Sequence, residues 1–188
     1  MAFRRARAEV HPNPSSAQIE AGNYRKGHVR LHGLDISIEN GRGGIRKAKD
    51  GSWSRRMRDD YGYFLGTLGA DGDHVDCFVG PHPESEAVFV VDQVKKDGTF
   101  DEVKVVLGAR SLDEARRVYL RNYPIGWTGI GAITPATIGQ LKRWLASDGV
   151  HRRFLPWARA AQIAKALGSG TTITKQEATP LEDGPNSA

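Results

Sequence analysis

The chain has 188 residues, of which 39% are hydrophobic, 8% aromatic and 26% charged, so it can bury one core and is not a disordered polymer. Its one cysteine, Cys77, excludes an internal disulfide and a cysteine-based zinc cluster, and no apolar run approaches the roughly 20 residues that span a bilayer. The net charge is +5, yet residues 61–104 hold nine Asp or Glu against three Lys or Arg. An acidic centre between basic flanks suits either nucleic-acid binding or a cation site that meets a small phosphorylated anion. We expect a soluble, cytoplasmic protein, since no apolar stretch follows the basic N-terminus as it would in a secretory signal.

Three segments of the chain differ in composition. Residues 1–22 combine basic residues with Pro12 and Pro14 and show no sustained period, which predicts a basic N-terminal arm. Residues 23–147 carry the apolar periodicity of one folded domain, and residues 148–188 predict a C-terminal helix followed by a flexible tail.

Strand patterns dominate the first half of the domain. Apolar residues from Gly27 to Glu39 predict two strands that are joined at a turn or bulge, His32-Gly33. Residues 40–60 are glycine-rich and basic, which predicts a surface loop. Further strands are predicted over residues 75–79, 87–94 and 103–107. Asp97-Gly98 marks a hairpin turn between the last two.

Helix patterns dominate the second half. Ser111 and Glu114 form a capping-box pattern at the start of one helix. Thr134-Pro135 predicts the N-cap and first residue of a second helix that ends near Leu145. An apolar stripe predicts a third helix over residues 155–167. Strands first and helices later predict an α+β fold with an antiparallel sheet or a small barrel.

Three carboxylates within six residues form the most informative motif. On a regular strand Asp71 and Asp73 share one face and Asp76 takes the other, so the three converge only if Gly72 or a turn breaks the pleat. Converging carboxylates need a counter-ion, and their hard oxygen atoms favour Mg²⁺ or Mn²⁺ over zinc. The alternative is a solvated acidic turn. The spacing is not that of an EF-hand, and the chain has no P-loop motif.

This acidic motif and the strand before it resemble the signature region of the soluble family I inorganic pyrophosphatases. Tyr61-Gly62-Tyr63 is followed by Asp71-Gly72-Asp73-His74-Val75-Asp76, which is similar to the family's Tyr-Gly-Tyr strand and D-[small]-D-P-[apolar]-D pattern. Only His74 departs from that signature, where the family has proline. The similarity covers about residues 27–145 and is strongest over 61–104. Because the lengths between the blocks differ from the family pattern, the chain more closely resembles the pyrophosphatase-like domains of bacteriophage proteins.

Three further segments resemble elements of the same family. Asp97, followed by Glu102-Val103-Lys104, is similar to an acidic element in which Glu102 replaces the usual aspartate. Ser37-Ile38-Glu39 resembles an early Lys-x-Glu in which Ser37 replaces the lysine. Trp53-Ser54-Arg55 is similar to the arginine element.

The resemblance implies a fold, a reaction and a set of residues. The fold is a small antiparallel β-barrel of the OB-like, pyrophosphatase type with helices packed outside. The reaction is Mg²⁺-dependent hydrolysis of inorganic pyrophosphate to two phosphates by a metal-activated water, with two or more Mg²⁺ per site and Mn²⁺ as an alternative. The implied metal ligands are Asp71, Asp76, Asp97, Glu102 and Glu39. The implied catalytic and phosphate-binding residues are Asp73, which orients or deprotonates the water, with Lys104, Tyr61, Arg55 and Arg46. A later tyrosine and basic residue are assigned to Tyr119 and Arg121, with Tyr123 as second choice.

Other interpretations stay open at this point. The altered basic residues suit a nucleotide phosphoanhydride as substrate. A non-catalytic module would bind protein or nucleic acid through the basic arm and the C-terminal basic residues Arg152, Arg153, Arg159 and Lys165. Asp97 is also explained as a structural hairpin tip, Glu102 with Lys104 as a solvated charge pair, and Arg46 with Arg55 as a solvated loop. We expect weak nucleic-acid contact at most, no membrane partner and, from the resemblance, a homo-oligomer.

Overall fold

A seven-stranded sheet forms the centre of the protein in a computed structural model, which describes residues 2–48, 50–159 and 162. The strands are β1 (Gly27–Leu31), β2 (Leu34–Asn40), β3 (Ile45–Lys47), β4 (Ser54–Arg56), β5 (Asp60–Phe64), β6 (Asp76–Val79), β7 (Ala87–Val94), β8 (Phe100–Leu107) and β9 (Ile130–Thr137). The spatial order of the large sheet is β1-β2-β5-β6-β8-β7-β9, and β3 pairs with β4 in a separate hairpin. Among the described strand pairs, only β6 and β8 run parallel. The predicted α+β class is confirmed, but the described strands form an open sheet rather than a closed, fully antiparallel barrel.

Few helices accompany the sheet. They are α1 (Ala2–Glu9), α2 (Ser16–Glu20), α3 (Leu112–Leu120) and α4 (Ile138–Leu145), followed by a 3₁₀ helix (Asp148–His151) and helical residues 154–159. Among the residues that the structure describes, no helix has the length and apolar character needed to cross a membrane.

The alternation of side chains along the strands divides the core into two clusters, one on each face of the sheet. Cys77 packs in the cluster that contains Trp144 of α4. Phe78, the next residue, packs in the cluster that contains Tyr119 of α3. Because side chains alternate along a strand, Asp76 and Lys104 point to the same face as Phe78 and α3. Polar residues of β6 and β8 therefore meet on the α3 face.

Gly62 allows β2 and β5 to approach each other closely. A Cβ atom at this position would collide with the main-chain carbonyl oxygen of Ser37 on β2. The neighbouring residues Tyr61 and Tyr63 keep their side chains on the face that carries Asp76, since Tyr63 and Asp76 are register partners. The Tyr-Gly-Tyr sequence thus combines two tyrosine side chains on one face of the sheet with one position that only glycine can occupy.

The helix starts agree with the sequence in one case and not in another. Ser111 is the N-cap of α3 and accepts from the backbone NH of Glu114, as predicted, although the Glu114 carboxylate accepts from the NH of Arg110. The prediction of a helix from Thr134-Pro135 is wrong, because both residues lie in β9. β9 lies at the edge of the described sheet, and an edge strand tolerates proline, which has no NH group to donate to a neighbouring strand. A complete capping box at Thr137 starts α4 instead.

The N-terminal segment and residues 40–60 are more structured than composition suggested. α1 lies against β1, where Ala6 is buried and the absence of a side chain at Gly27 leaves room for the Ala6 backbone. The loop predicted over residues 40–60 contains the β3–β4 hairpin. The predicted C-terminal helix begins at residue 154. Apart from residue 162, its part beyond residue 159, with Lys165, and the tail lie outside the described residues. The division into arm, domain and tail stays a prediction.

Candidate active site

Four polar side chains form a cluster where β5, β6 and β8 are neighbours. Asp76 and Lys104 are register partners in the parallel pair β6–β8, and the Lys104 ammonium contacts Asp76 Oδ2. The same Nζ atom lies 2.6 Å from Glu102 Oε2. The Tyr61 hydroxyl donates to Asp76 Oδ2 and accepts from Lys104 at 3.4 Å. One buried ammonium therefore balances two carboxylates at this position.

Burial and the neighbouring charges shift the pKa values of the groups in the cluster. Burial alone would lower the pKa of Lys104, but the negative charges of Asp76 and Glu102 raise it well above its usual value, so Lys104 carries its charge. Burial raises the pKa of Glu102 against the opposing effect of Lys104, and the charges of Asp76 and Asp71 act in the same direction as burial. Burial also raises the pKa of Tyr61, which keeps its hydroxyl protonated as a donor. The cluster has acidic groups that an added cation would stabilise.

Arg46 covers the cluster from the β3–β4 hairpin. Its Nη2 atom donates to the Tyr61 hydroxyl at 2.8 Å, and the guanidinium carbon lies 4.0 Å from the centre of the Tyr61 ring. Arg55 is the register partner of Arg46 across the hairpin. The hairpin therefore brings together the two arginines that the sequence singled out. It places Arg46 in direct contact with the cluster.

Gln93 connects the cluster to the tyrosines after β8. Its amide NH₂ donates to Glu102 Oε1 at 3.0 Å and to Asp101 Oδ2 at 2.9 Å. Its carbonyl oxygen accepts from the hydroxyls of Tyr119 at 2.6 Å and Tyr123 at 2.9 Å. Both predicted tyrosines thus reach the site through Gln93. The sequence analysis missed Gln93 and Asp101, although the polar pair Asp92-Gln93 interrupts the apolar run of β7 and was a usable signal.

Glu39 lies in a second polar group on β2. The ammonium of Lys26 is 3.4 Å from Glu39 Oε1 and donates to the Tyr63 hydroxyl at 3.3 Å. The Tyr24 hydroxyl donates to Glu39 Oε1 at 3.2 Å, and burial, with the charge of Glu39, raises the pKa of Tyr24. Glu39 and Tyr24 line a cavity of about 540 Å³ that also borders Arg46. Lys26 and Tyr24 were not recognised from the sequence.

Only one of the three clustered aspartates joins Lys104. Asp71 and Asp73 are exposed in the loop before β6, where the Asp73 NH donates to Asp71 Oδ1 at 3.1 Å. Gly72 has a positive φ of 85° and breaks the regular strand, but in the described part of the chain the three aspartates are not grouped as metal ligands. His74 stacks on Tyr63 with ring centres 4.5 Å apart, so the residue that replaces proline fixes this loop against β5.

Asp97 and Arg121 are placed away from these contacts. Asp97 lies at the exposed tip of the β7–β8 hairpin, where its carboxylate accepts from the NH of Thr99 at 2.9 Å and from the Thr99 hydroxyl at 2.6 Å. The Arg121 guanidinium donates to the buried carboxylate of Asp59 at 2.6 Å. In the described structure these contacts are enough to explain both residues locally.

The two carboxylates of the cluster carry the kind of donor atom that a hard cation binds. Across residues 2–48, 50–159 and 162, no three His, Cys, Asp or Glu side chains are grouped as a ready metal site. Asp76 and Glu102 nevertheless share a single cation, the Lys104 ammonium, and the charge of Asp71 affects Glu102. Carboxylate oxygens of this kind are ligands that Mg²⁺ prefers in proteins. Asp76 and Glu102 fit Mg²⁺ by the chemistry of their oxygen donors, while Asp71 lies exposed in the loop before β6.

One comparison with known proteins bears on this cluster. A family model described as inorganic pyrophosphatase matches residues 16–146. That range includes β1 to β9 and every residue of the Tyr61, Asp76, Glu102 and Lys104 cluster. A comparison with curated proteins gives no significant match.

Proposed function

Because the chain belongs to the inorganic pyrophosphatase family, we propose that it hydrolyses inorganic pyrophosphate to two phosphates in a Mg²⁺-dependent reaction. The observation that carries this proposal is the buried ammonium of Lys104 between Asp76 and Glu102, with Tyr61 and Arg46 as adjacent donors. Positive donors beside paired carboxylates supply what phosphoanhydride hydrolysis needs, which is positioning and neutralisation of charge.

The proposed Mg²⁺ ligands are Asp71, Asp76 and Glu102. When bound there, the metal would neutralise phosphate charge and lower the pKa of a coordinated water. Mn²⁺ offers the same preference for oxygen ligands. Asp97 and Glu39, and a count of two or more ions per site, stay predictions from the family resemblance.

The chain's own residues have distinct proposed tasks. Lys104 and Tyr61 donate to phosphate oxygens at the centre of the cluster, and Arg46 with Arg55 holds the phosphate on the side of the hairpin. Asp73, exposed on the loop that faces solvent, orients or deprotonates the attacking water. The family element that Ser37-Ile38-Glu39 resembles has a lysine at the position of Ser37. In this chain Lys26 provides an ammonium beside Glu39 instead.

Phosphate release from pyrophosphate tests this proposal. The purified chain should release phosphate in the presence of Mg²⁺, lose that activity when EDTA removes the metal, and regain it when Mg²⁺ is restored. Asp76→Asn should lower kcat by about 10²-fold or more, because it removes a charge from the cluster. Asp35→Asn is the matched control, since Asp35 is an exposed residue of β2 whose ion pair is with Arg30 at 3.7 Å.

An unchanged rate in folded Asp76→Asn protein would contradict the proposed site, and activity without any divalent cation would contradict the proposed metal. A homo-oligomeric state and a cytoplasmic location accompany the family resemblance as proposals. Sedimentation of the purified chain checks the oligomer, and an electrophoretic shift at low salt checks nucleic-acid contact by residues 1–22.

A further inference from the structure

An apolar pocket of about 330 Å³ adjoins the cluster, and pyrophosphate does not account for it. Trp53, Tyr123 and Trp127 contribute aromatic walls, and Arg46 and Arg55 line the same pocket. Pyrophosphate has no apolar atom and gains nothing from aromatic walls. A ligand that explains the pocket therefore has an apolar, flat part in addition to its phosphates.

Two of the aromatic rings are held as a rigid surface. Tyr123 and Trp127 stack with ring centres 4.7 Å apart and an angle of 12° between their planes. Tyr123 is fixed by its bond to Gln93, and the Trp127 indole NH donates to the Tyr119 hydroxyl at 3.1 Å. Gly129 leaves space for the Trp127 ring, since a Cβ atom there would collide with it. Fixed aromatic faces of this kind bind planar rings by stacking.

Trp53 reaches the pocket from the loop that connects β3 and β4. Trp53 is 44% exposed, so its ring is open to a ligand in the pocket. The guanidinium of Arg46 lies 5.6 Å from the Trp53 ring and also contacts Tyr61. Arg46 thus stands between the aromatic pocket and the cluster, so one ligand can occupy both.

The two arginines of the hairpin offer donors that suit an anion. Arg46 and Arg55 are register partners on adjacent strands, and like charges in that position repel each other. Within the described part of the chain, neither forms an ion pair with a carboxylate. Phosphate groups bound across the hairpin would relieve this repulsion and would lie next to the aromatic walls.

We propose that this pocket binds the base of a nucleoside polyphosphate, whose phosphates lie on Arg46 and Arg55 with the terminal phosphoanhydride at the Tyr61–Lys104 cluster. The inference rests on the proposed hydrolysis of phosphoanhydrides at that cluster and assigns it a second substrate class. With ADP, a water oxygen bonds to the terminal phosphorus while the bond from that phosphorus to the bridging oxygen breaks. The bridging oxygen keeps the electron pair and leaves on AMP. Of the two protons of the attacking water, one stays on the phosphate product and the other passes to solvent.

The experiment compares ADP with pyrophosphate in the full chain. We expect Trp53→Leu to lower the ratio of kcat/KM for ADP to kcat/KM for pyrophosphate by roughly tenfold, the loss of one stacking contact. Trp157→Leu is the matched control and should leave the ratio unchanged, because Trp157 packs on Phe154 outside the pocket. ADP should also quench tryptophan fluorescence in the wild type, and less in Trp53→Leu.

Each outcome separates this inference from the proposed function. Pyrophosphate hydrolysis without turnover or quenching by ADP would overturn the nucleotide pocket and leave the pyrophosphatase proposal standing. Quenching by ADP that depends on Trp53, with hydrolysis of neither compound, would support base binding and overturn hydrolysis of both substrates. An unchanged ratio in Trp53→Leu would overturn the pocket. Quenching by a single-stranded oligonucleotide but not by ADP would overturn it in favour of nucleic acid.

Discussion

Lys104 is the residue on which the charge balance of the site depends. It is 3% exposed, and its ammonium is shared between Asp76 and Glu102. Removing one partner of such a buried pair leaves uncompensated charge, which costs more than the pair contributes when intact. Lys104 therefore supports the fold as well as the proposed chemistry, and its replacement should lower the free energy of unfolding.

We predict that Lys104→Met lowers the free energy of unfolding by about 3–5 kcal/mol. Urea denaturation at neutral pH measures this change, with Lys95→Met, an exposed lysine of the β7–β8 hairpin, as the control. Adding Glu102→Gln to Lys104→Met should recover part of the loss, because one of the two stranded carboxylates is then neutral. Equal midpoints for the two single lysine variants would show that the ion pairs make no net contribution.

Lys26 is expected to act on the reaction rather than on the fold. Its ammonium contacts Glu39 and the Tyr63 hydroxyl at the edge of the proposed phosphate site. Lys26→Met should lower kcat/KM for pyrophosphate by about 10- to 100-fold, as the loss of one electrostatic donor does, while Lys26→Arg keeps most of it. Lys96→Met on the exposed hairpin is the control. A similar kcat/KM in Lys26→Met and Lys96→Met would remove Lys26 from the site.

At the scale of elements, Asp92 joins the sheet to the C-terminal helical residues. Its carboxylate accepts from the NH groups of Phe154 at 2.6 Å and Leu155 at 3.1 Å, at the start of helical residues 154–159. Burial raises the pKa of Asp92, and these two NH groups partly offset the shift. The carboxyl therefore binds a proton in the folded protein at a pH where the unfolded chain has released it.

This shift gives a pH dependence of stability with a definite sign. A raised pKa in the folded state means that the stabilising contribution of the neutral carboxyl is complete below the unfolded pKa of about 3.9 and is lost as the pH rises through the folded value. Asp92→Asn cannot ionise. We predict that the wild type loses free energy of unfolding relative to Asp92→Asn as the pH rises above about 4, measured by urea titrations at several pH values. Asp113→Asn, exposed on α3, should show no such trend, and a parallel course for wild type and Asp92→Asn would contradict the raised pKa.

At the scale of the whole molecule, local patterns predicted the elements better than their arrangement. The hairpin of β1 and β2 follows from its apolar pattern and from His32-Gly33, and the cap at Ser111 starts α3 as expected. Asp76 next to Lys104 depends on a parallel pairing of β6 with β8, which no local pattern reveals. β3 and β4 are short and strongly basic, without the apolar alternation that marks a strand.

Strand register explains which contacts of the site could be predicted from the sequence and which could not. Once the β1–β2 turn is assigned, Gly27 pairs with Ile38, and Lys26 then lies opposite Glu39. This pairing could have been predicted from the sequence, and it identifies Lys26 as an ammonium near Glu39 that Ser37 cannot provide. The predicted Asp97-Gly98 hairpin likewise places β7 beside β8 and Gln93 within reach of Glu102, whereas the hydrogen bonds of Gln93 to Tyr119 and Tyr123 depend on tertiary packing. Whether the predicted site residues act in catalysis stays a prediction that the kinetic experiments decide.

The N-terminal helix packs on the sheet although it lies outside the matched residues 16–146. Ala6 is buried against β1, and the Arg7 guanidinium donates to the buried carboxylate of Asp60 at 2.6 Å, next to Tyr61 on β5. The NH of Arg42 donates to the same carboxylate oxygen at 2.8 Å. α1 therefore helps to satisfy a charge that the strand carrying Tyr61 brings into the interior.

Arg7→Met should lower the free energy of unfolding by about 1–3 kcal/mol, because the Asp60 carboxylate stays buried with one donor fewer. Arg4→Met on the exposed side of α1 should stay within about 0.5 kcal/mol of the wild type. Urea titration of the three proteins measures both changes. A loss in Arg7→Met no larger than in Arg4→Met would mean that α1 is an attached arm after all. A larger loss of unfolding free energy in Arg7→Met than in Arg4→Met would mean that residues outside the family match stabilise the sheet that carries the site.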